Sequence, residues 1–352
     1  MLLNIIIFLA VLSVLIISHE CGHFIAARWG GIKVEKFAIG FGPPIIRVKY
    51  KETLFLICLV PLGGYVKLAG DDRHDHTGGP EEFLSKSPGI KARVVFFGPL
   101  FNYLLAFFVF WVVFTVGFPY TAPTIGQIIA DTPAESAGLI AGDTILAING
   151  EAVDIWSDVL KTISVSHGVL HMEIDRAGQI KEVAVVPQIR SRKDIFGRLR
   201  ELPFVGIGPS FEPKVVRSNI AVAFVKAIGH VGELTVVIIK GLVFTIIGVI
   251  PFREAVAGPV GIYHLTSEIA KVGLIPLIHF VGVLSVSLGL INLFPIPVLD
   301  GGHIFFLGLE RLRKKPLPDK WEETLTKIGL VLLITLMLFI VFNDVIRFVL
   351  HR

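Results

Sequence analysis

Long apolar runs alternate with polar and basic connectors along the 352 residues of the chain. A helix that crosses a bilayer needs roughly 20 mostly apolar residues. Four stretches meet or approach that length: 2–17, continued by the apolar residues around 19–27; 94–118; 274–293; and 328–349. A fifth stretch, 236–251, is shorter and carries Lys240 inside it. The pattern predicts an α-helical polytopic membrane protein with four transmembrane helices. The apolar start at residue 2 has the look of a secretory signal. It lacks a basic leading region, however, and runs into His19-Glu20-Cys21-Gly22-His23 without a small-residue cleavage site, so a retained span is expected.

Between the first two runs, residues 28–93 change character. They are basic, strand-like at 45–48 and 54–60, and punctuated by Gly40-Phe41-Gly42-Pro43-Pro44 and Pro61-Leu62-Gly63-Gly64. This predicts a β element over about 39–68 that re-enters the membrane from one side. Irregular backbone at that depth is tolerated only where protein or a wet cavity satisfies its polar groups. Residues 122–190 form a soluble text of short strands and one amphipathic helix at 155–164. A short helix closed by Gly138, a strand after Asp143 and an Asn149-Gly150 hairpin turn predict a small α+β domain. The expected organisation is a first half of the membrane core at 1–118, an inserted domain at 122–190, linker and interfacial helices at 191–273, and a second half at 274–352. No internal repeat is evident.

Composition sharpens the class. Hydrophobic residues make up 53% and charged residues 18%, against about 25% charged in soluble domains. The net charge of +4 is not gathered on one basic face, so no nucleic-acid partner is expected. The basic residues fall instead in 28–93 and 311–327, which the positive-inside rule assigns to the cytoplasm. Four spans then leave both termini and the inserted domain outside. A fifth span at 236–251 would bring Asp300 out on the wrong side, so that stretch is read as interfacial or re-entrant. Cys21 and Cys58 give no disulfide framework and read as buried thiols.

The chemistry concentrates in His19-Glu20-Cys21-Gly22-His23. On a helix, residues four apart lie about 40° apart around the axis and about 6 Å along it. Two imidazoles so placed can hold one zinc at about 2.0–2.1 Å. Glu20 is then placed as a general base rather than a ligand. Cys21, about 200° around from His19, is not expected to ligate. Ionisable groups at the end of an apolar span are costly and usually functional. A third ligand is expected, and Asp300 is the candidate. Two prolines break the helix before it, and Gly301-Gly302 after it allow close backbone approach. His303 reads equally as a supporting group or a loop residue. His74 and His76 read as solvated, and Asn102 as an interhelical hydrogen-bonding residue.

Together these residues resemble the site-2 protease family of intramembrane zinc metalloproteases, and within it the bacterial regulator-of-sigma-E proteases. The matching pieces are His19–His23; Gly40-Phe41-Gly42-Pro43; Pro61 through Lys67; Gly98-Pro99-Leu100-Phe101-Asn102; Gly258-Pro259-Val260-Gly261-Ile262; and Asn292 through His303. The inserted domain looks like a PDZ domain; members of this branch often carry two in tandem, and the span here holds one. The resemblance implies one Zn²⁺ per chain on His19, His23 and Asp300, with Glu20 as catalytic base. It implies that Asn292 holds the substrate backbone, and that the 39–68 element, with Gly63 and Gly64, lies on the substrate path. An exposed edge there would bind an unwound segment, with 54–60 as the expected strand. The implied partners are the lipid bilayer and single-span membrane proteins already cut by another protease, such as anti-sigma factors or remnant signal peptides. The implied location is the bacterial inner membrane, with the site near the cytoplasmic side. The competing readings are a catalytically inactive PDZ-bearing membrane scaffold and a metal transporter. The complete acid, base and ligand set speaks against the first, and the general base between two helical ligands against the second.

Overall fold

A computed structural model describes residues 2–166, 168–193, 199–313, 315 and 318–347. In chain order the elements begin with α1 (Leu2–Trp29), β1 (Val34–Tyr50), β2 (Thr53–Leu68) and α2 (Pro88–Val116). The middle holds β3 (Phe118–Thr121), β4 (Ile125–Ile128), α3 (Pro133–Ser136), β5 (Thr144–Ile148), β6 (Glu151–Ala152), α4 (Trp156–Ser164), β7 (Leu170–Arg176) and β8 (Gln179–Val185). Then follow β9 (Gln188–Lys193), β10 (Leu199–Phe204), β11 (Ile207–Pro209), β12 (Pro213–Val216) and α5 (Ile220–Ile246). The chain ends with α6 (Phe252–Ala255), α7 (Pro259–Val272), α8 (Leu274–Asn292), α9 (Asp300–Arg313) and α10 (Asp319–Val345). Contacts divide these into two compact units. One comprises Met1–Val113, Ile220–Lys240 and Phe252–Arg352; the other comprises Phe114–Asn219 and Gly241–Pro251.

The first unit is a helical assembly. Among the described residues, five helices are long and apolar enough to cross a membrane: α1, α2, α5, α8 and the Thr324–Val345 part of α10. The chain is therefore built as a multi-pass membrane protein. The stretch at 236–251 differs from the sequence expectation. Its first part, 236–246, is the end of a continuous 27-residue helix that starts at Ile220, and 247–251 form the turn after it. Lys226, His230 and Glu233 dilute the apolar signal of the first half of α5 without stopping the helix. Residues 348 and 349 of the fourth expected span, and Lys314 of the basic loop, lie outside the described residues. α1 packs against α7 and α8, and α7 also against α8 and α10. Where α1 meets α2 the backbones touch: a Cβ on Gly22 would lie 2.1 Å from the Phe97 carbonyl oxygen.

β1 and β2 are long strands that bend back on themselves. Val34↔Leu68 through Ile39↔Gly64 make one antiparallel ladder, and Ile46↔Ile57 through Tyr50↔Thr53 make another. A third set, Phe37↔Phe55, Ala38↔Leu56 and Ile39↔Ile57, joins the same part of β1 to the first part of β2. The sheet thus has four segments in the order 44–50, 53–60, 34–41, 64–68. Residues 54–57 are interior, paired on both sides, and not the edge expected from sequence, while Cys58 and Val60 each pair on one side only. The free edges are 44–50 and 64–68. Ile45, Ile46, Val48, Leu59 and Val60 are exposed here, an apolar surface suited to lipid rather than water.

The second unit centres on a four-stranded sheet in the order β6-β5-β7-β8. Asn149 and Gly150 both have positive φ, as do Ala177 and Gly178, so both hairpins close through tight two-residue turns whose twist matches the strands. α4 covers one face with Trp156, Val159 and Ile163, at the three- and four-residue steps of an amphipathic helix. They join Ile125, Ile145, Ile148, Leu170, Met172, Ile174 and Val185 in one buried core. The unit is larger than 122–190. β11 pairs with β4 and β12 with β3, so residues 207–216, expected in the linker, belong to this unit. Pairing across some 80 residues leaves no local signal in the sequence. Asp143 is fully buried and meets Arg176 through two hydrogen bonds of 2.7 Å each.

Candidate metal centre

His19 and His23 sit one turn apart on α1 with Nε2 atoms 3.2 Å apart. Asp300, the first residue of α9, brings Oδ2 to 3.1 Å from His19 Nε2 and Oδ1 to 3.5 Å from His23 Nε2. The three side chains are only 12%, 15% and 17% exposed. They are the only group of three or more His, Cys, Asp or Glu among the described residues whose donor atoms could share one metal.

Protons decide what this cluster requires. His23 Nδ1 lies 2.9 Å from the carbonyl oxygen of Val94. A carbonyl only accepts, so Nδ1 carries the hydrogen and neutral His23 presents a bare lone pair at Nε2. On His19 the corresponding neighbour is the amide of Asn102, 3.1 Å from Nδ1 and fully buried. Nδ2 faces the ring while Oδ1 is buried without a partner. The two amide ends are interchangeable by a flip. With Oδ1 facing the ring, His19 also donates from Nδ1 and bares Nε2. Two lone pairs and a carboxylate then converge with no proton between them, and Asp300 Oδ2 is itself buried without a hydrogen bond. A shared cation satisfies all three; imidazole, imidazole and carboxylate suit a metal such as zinc.

Local sequence explains why the groups meet. Pro99 stands inside α2; its missing N–H leaves the Val95 carbonyl without its helical donor, one residue from the Val94 carbonyl that meets His23. Gly98 makes room: a Cβ there would lie 2.3 Å from His23 Nε2 and 2.9 Å from His19 Cε1. After α8, the Pro295–Pro297 loop turns back through Val298, whose φ is +104°, a strained value for a β-branched residue. Gly301 and Gly302 then seat the first turn of α9 on that loop. A Cβ on either would come within 2.3 Å of backbone atoms of Leu293, Phe294 or Ile296.

The other expected residues fall as follows. Glu20 makes no hydrogen bond to a described residue, and Gly64 on the 64–68 edge lies against it. A Cβ on Gly64 would be 3.1 Å from Glu20 Cγ and 2.8 Å from Ile16 Cγ2. Gly63, at φ +147°, packs on the Phe41 ring. Asn292, the last residue of α8, has Nδ2 3.5 Å from His19 Nε2. His303 is outside the cluster; it is exposed and lines a cavity of about 60 Å³ with Arg73, Lys91 and Glu310. His76 is bonded to Ser85 in an exposed loop, and neither it nor His74 joins a metal group. The supporting roles of Val94 and Gly98 were missed from sequence. A backbone carbonyl carries no residue signature, although the Gly98-Pro99 pair inside an apolar helix was a visible oddity.

Comparison with known proteins adds an independent line. A sequence profile described as peptidase family M50 matches residues 7–336. A Campylobacter jejuni protein, provisionally named a zinc metalloprotease, is 36% identical over 344 residues, covering 96% of this chain and 92% of its own. A similarly named Clostridium acetobutylicum protein is 33% identical, covering 97% of each chain. Zinc metalloprotease RasP of Oceanobacillus iheyensis is 29% identical, covering 97% of this chain and 98% of its own. Among solved structures, the PDZ domain of an SdrC-like protein from Listeria monocytogenes overlaps 26% of this chain and 88% of its own. Its identity is 20% and its TM-score 0.21, a likeness that leaves the second unit to be judged by its own architecture.

Proposed function

The chain belongs to peptidase family M50, and from that membership we propose that it is a membrane-embedded zinc endopeptidase that cuts transmembrane segments of single-span proteins. The observation that carries the proposal is the convergence of His19 Nε2, His23 Nε2 and an Asp300 oxygen within 3.1–3.5 Å. These three residues would hold one Zn²⁺. Bound there, zinc supplies the Lewis acidity that makes water nucleophilic near neutral pH.

Glu20 takes a proton from the attacking water and delivers it to the leaving amine. Its carboxylate is free of competing hydrogen bonds, as a base must be. A substrate helix hides its peptide bonds in its own hydrogen bonds, so it must unwind to be cut. We place the unwound segment along the 64–68 edge, where it would add a strand. Gly63 and Gly64 keep that edge low beside Glu20, and Asn292 offers an amide to the substrate backbone on the opposite side.

For topology we take α1, α2, α8 and α10 as the spans. α1 and α8 both run toward the site, and α2 runs away from it. The chain therefore leaves α2 and enters α8 on the same side, and an even number of crossings lies between. α7, at 14 residues, rises only about 21 Å against a hydrocarbon core of about 30 Å, so it cannot return what α5 crosses. α5 is then embedded without crossing alone. The second unit, read as PDZ-like, lies outside the inner membrane, and the 39–68 element enters from the cytoplasmic side. There the PDZ-like unit would either admit only substrates already trimmed by another protease, such as anti-sigma factors or remnant signal peptides, or bind the tail that the trimming exposes.

The test is cleavage of a trimmed single-span substrate in detergent. Activity that a chelator abolishes and added zinc restores supports the reading. Cleavage indifferent to chelation, at the same bond, would end it.

A further inference from the structure

The Gly258-Pro259-Val260-Gly261-Ile262 run plays no part in the site. Its place in the fold is the start of α7, with Gly258 as the capping residue and Pro259 in the first turn. Gly258 has no side chain to cap the helix, so the first amides of α7 need another acceptor. Asp344, on α10 and fully buried, supplies it: Oδ2 accepts the Gly261 N–H at 2.8 Å. That amide is the third of the helix, the one an ordinary N-cap side chain would take. The positive end of α7 in turn compensates a carboxylate that has no business in an apolar interior without a partner. Gly258 is required for the approach. A Cβ there would lie 2.5 Å from Ile340 Cγ2 and 2.9 Å from Asp344 Oδ2. Next to it, Asn343 Nδ2 donates to the Arg253 carbonyl at 3.1 Å, a second tie between α10 and the residues leading to α7.

We propose that Asp344 is a positioning residue, a cap lent by one helix to another that holds the Asp300 half of the metal centre against the histidine half. Nearer the middle of α10, Gly329 bears on the Asp300 loop, where a Cβ would be 2.4 Å from the Pro297 carbonyl oxygen. From Gly329 to Asp344 is fifteen residues (344 − 329), about 22 Å of helix. α7, clasped at Asp344, lies on α1, with Tyr263 edge-on to Phe8 at 5.7 Å between ring centres. α1 carries His19 and His23. α10 is thus a strut with one foot on the loop before Asp300 and the other fastened through α7 to the histidine helix. A glycine-proline run far from the chemistry, and an acid near the end of the last helix, have a joint purpose in this arrangement.

The inference rests on the metal-site reading, so its test must separate the two. The full-length chain in lipid nanodiscs is compared with Asp344→Leu and Asp344→Asn. Three quantities are read: hydrogen exchange of the α7 amides, the half-time of zinc loss to a chelator, and kcat and KM on a single-span substrate. Asp344→Leu should speed exchange at the start of α7, shorten the zinc half-time about tenfold and lower kcat about tenfold, with KM little changed. Asp344→Asn keeps an oxygen for the Gly261 amide and should recover most of each. Gly258→Ala, which pushes the same contact apart, should move all three in the same direction even if Asp344→Leu does not fold. Faster exchange in Asp344→Leu with unchanged zinc retention and kcat would overturn the proposal, leaving a purely local cap. An Asp344→Asn variant as impaired as Asp344→Leu would also overturn it. A parent chain that holds no zinc and cuts nothing would instead remove the metal-site reading, while the exchange result still reports on the cap.

Discussion

His23 donates from Nδ1 to the Val94 carbonyl at 2.9 Å, and that bond selects the nitrogen left for the site. The contact crosses from α1 to α2 and fixes both the tautomer and the ring plane. With Nδ1 committed, Nε2 points at Asp300 as an acceptor only. Metal-binding histidines commonly use their second nitrogen in this way.

Gly98 should be intolerant of any side chain. A Cβ would sit 2.3 Å from His23 Nε2, in the space a metal needs. Gly98→Ala should purify without zinc and without activity. Gly89→Ala, on the same helix with nothing within 4 Å of its Cβ, should keep both. Metal analysis of the two proteins checks this.

Asn102 should govern metal affinity without being a ligand. Its buried side-chain amide meets His19 Nδ1 at 3.1 Å, and its backbone carbonyl is anchored by the Ser285 hydroxyl at 2.7 Å. Asn102→Ala should weaken zinc binding by about 10–100-fold, read by chelator competition, while the helices remain assembled. Unchanged affinity would mean that the ring is held by packing alone.

The 64–68 edge should be where substrate is lost. Gly64→Val puts a branched side chain against Ile16, the Ala38 carbonyl and Glu20. kcat/KM should fall by about tenfold or more with zinc content unchanged. Proline substitutions within 54–57 would instead break interior pairing and disturb the whole sheet. They cannot report on the edge.

The second unit should have an acid limit set by Asp143. Burial alone would push its carboxyl up, but the Arg176 guanidinium and the Ile140 N–H more than offset this and hold it below its ordinary value. A carboxyl depressed by folding stabilises fully above its unfolded value of about 3.9. That stability is lost as pH falls through the lower folded value. The melting temperature, followed by Trp156 fluorescence in a full-length chain with no other tryptophan, should be flat above about pH 5 and drop below about pH 4. Asp143→Asn should lower stability at neutral pH by about 2 kcal/mol. That is less than the roughly 3–5 kcal/mol of a fully buried pair, because Arg176 is 25% exposed.

What the sequence could and could not reveal follows from how local each signal is. His19 and His23 are four residues apart, and their face is written in the helix period. Asp300 is distant in sequence, yet its two prolines and two glycines mark a broken helix with a carboxylate at its end. Pairing the two halves needed topology as well, from the basic loops. The β1–β2 sheet was not legible in detail. The 54–60 run is apolar at every position, so alternation sets no register there, and nothing in it distinguishes an interior strand from an edge. The interfacial helices expected in 191–273 include α5, but its full length was not legible because Lys226, Glu233 and Lys240 interrupt an apolar pattern without interrupting a helix. Asp344 has no local signal of its role, since its partner amide belongs to Gly261, 83 residues away.

The most direct test of the central claim is to measure bound zinc and cleavage together in the natural chain and in Glu20→Gln. Glu20 is placed as the base and not as a ligand. The account predicts one zinc per chain in both proteins, and cleavage within the span of a trimmed substrate by the natural chain alone. A Glu20→Gln protein that cuts as the natural chain does would contradict it, as would one that has lost its zinc.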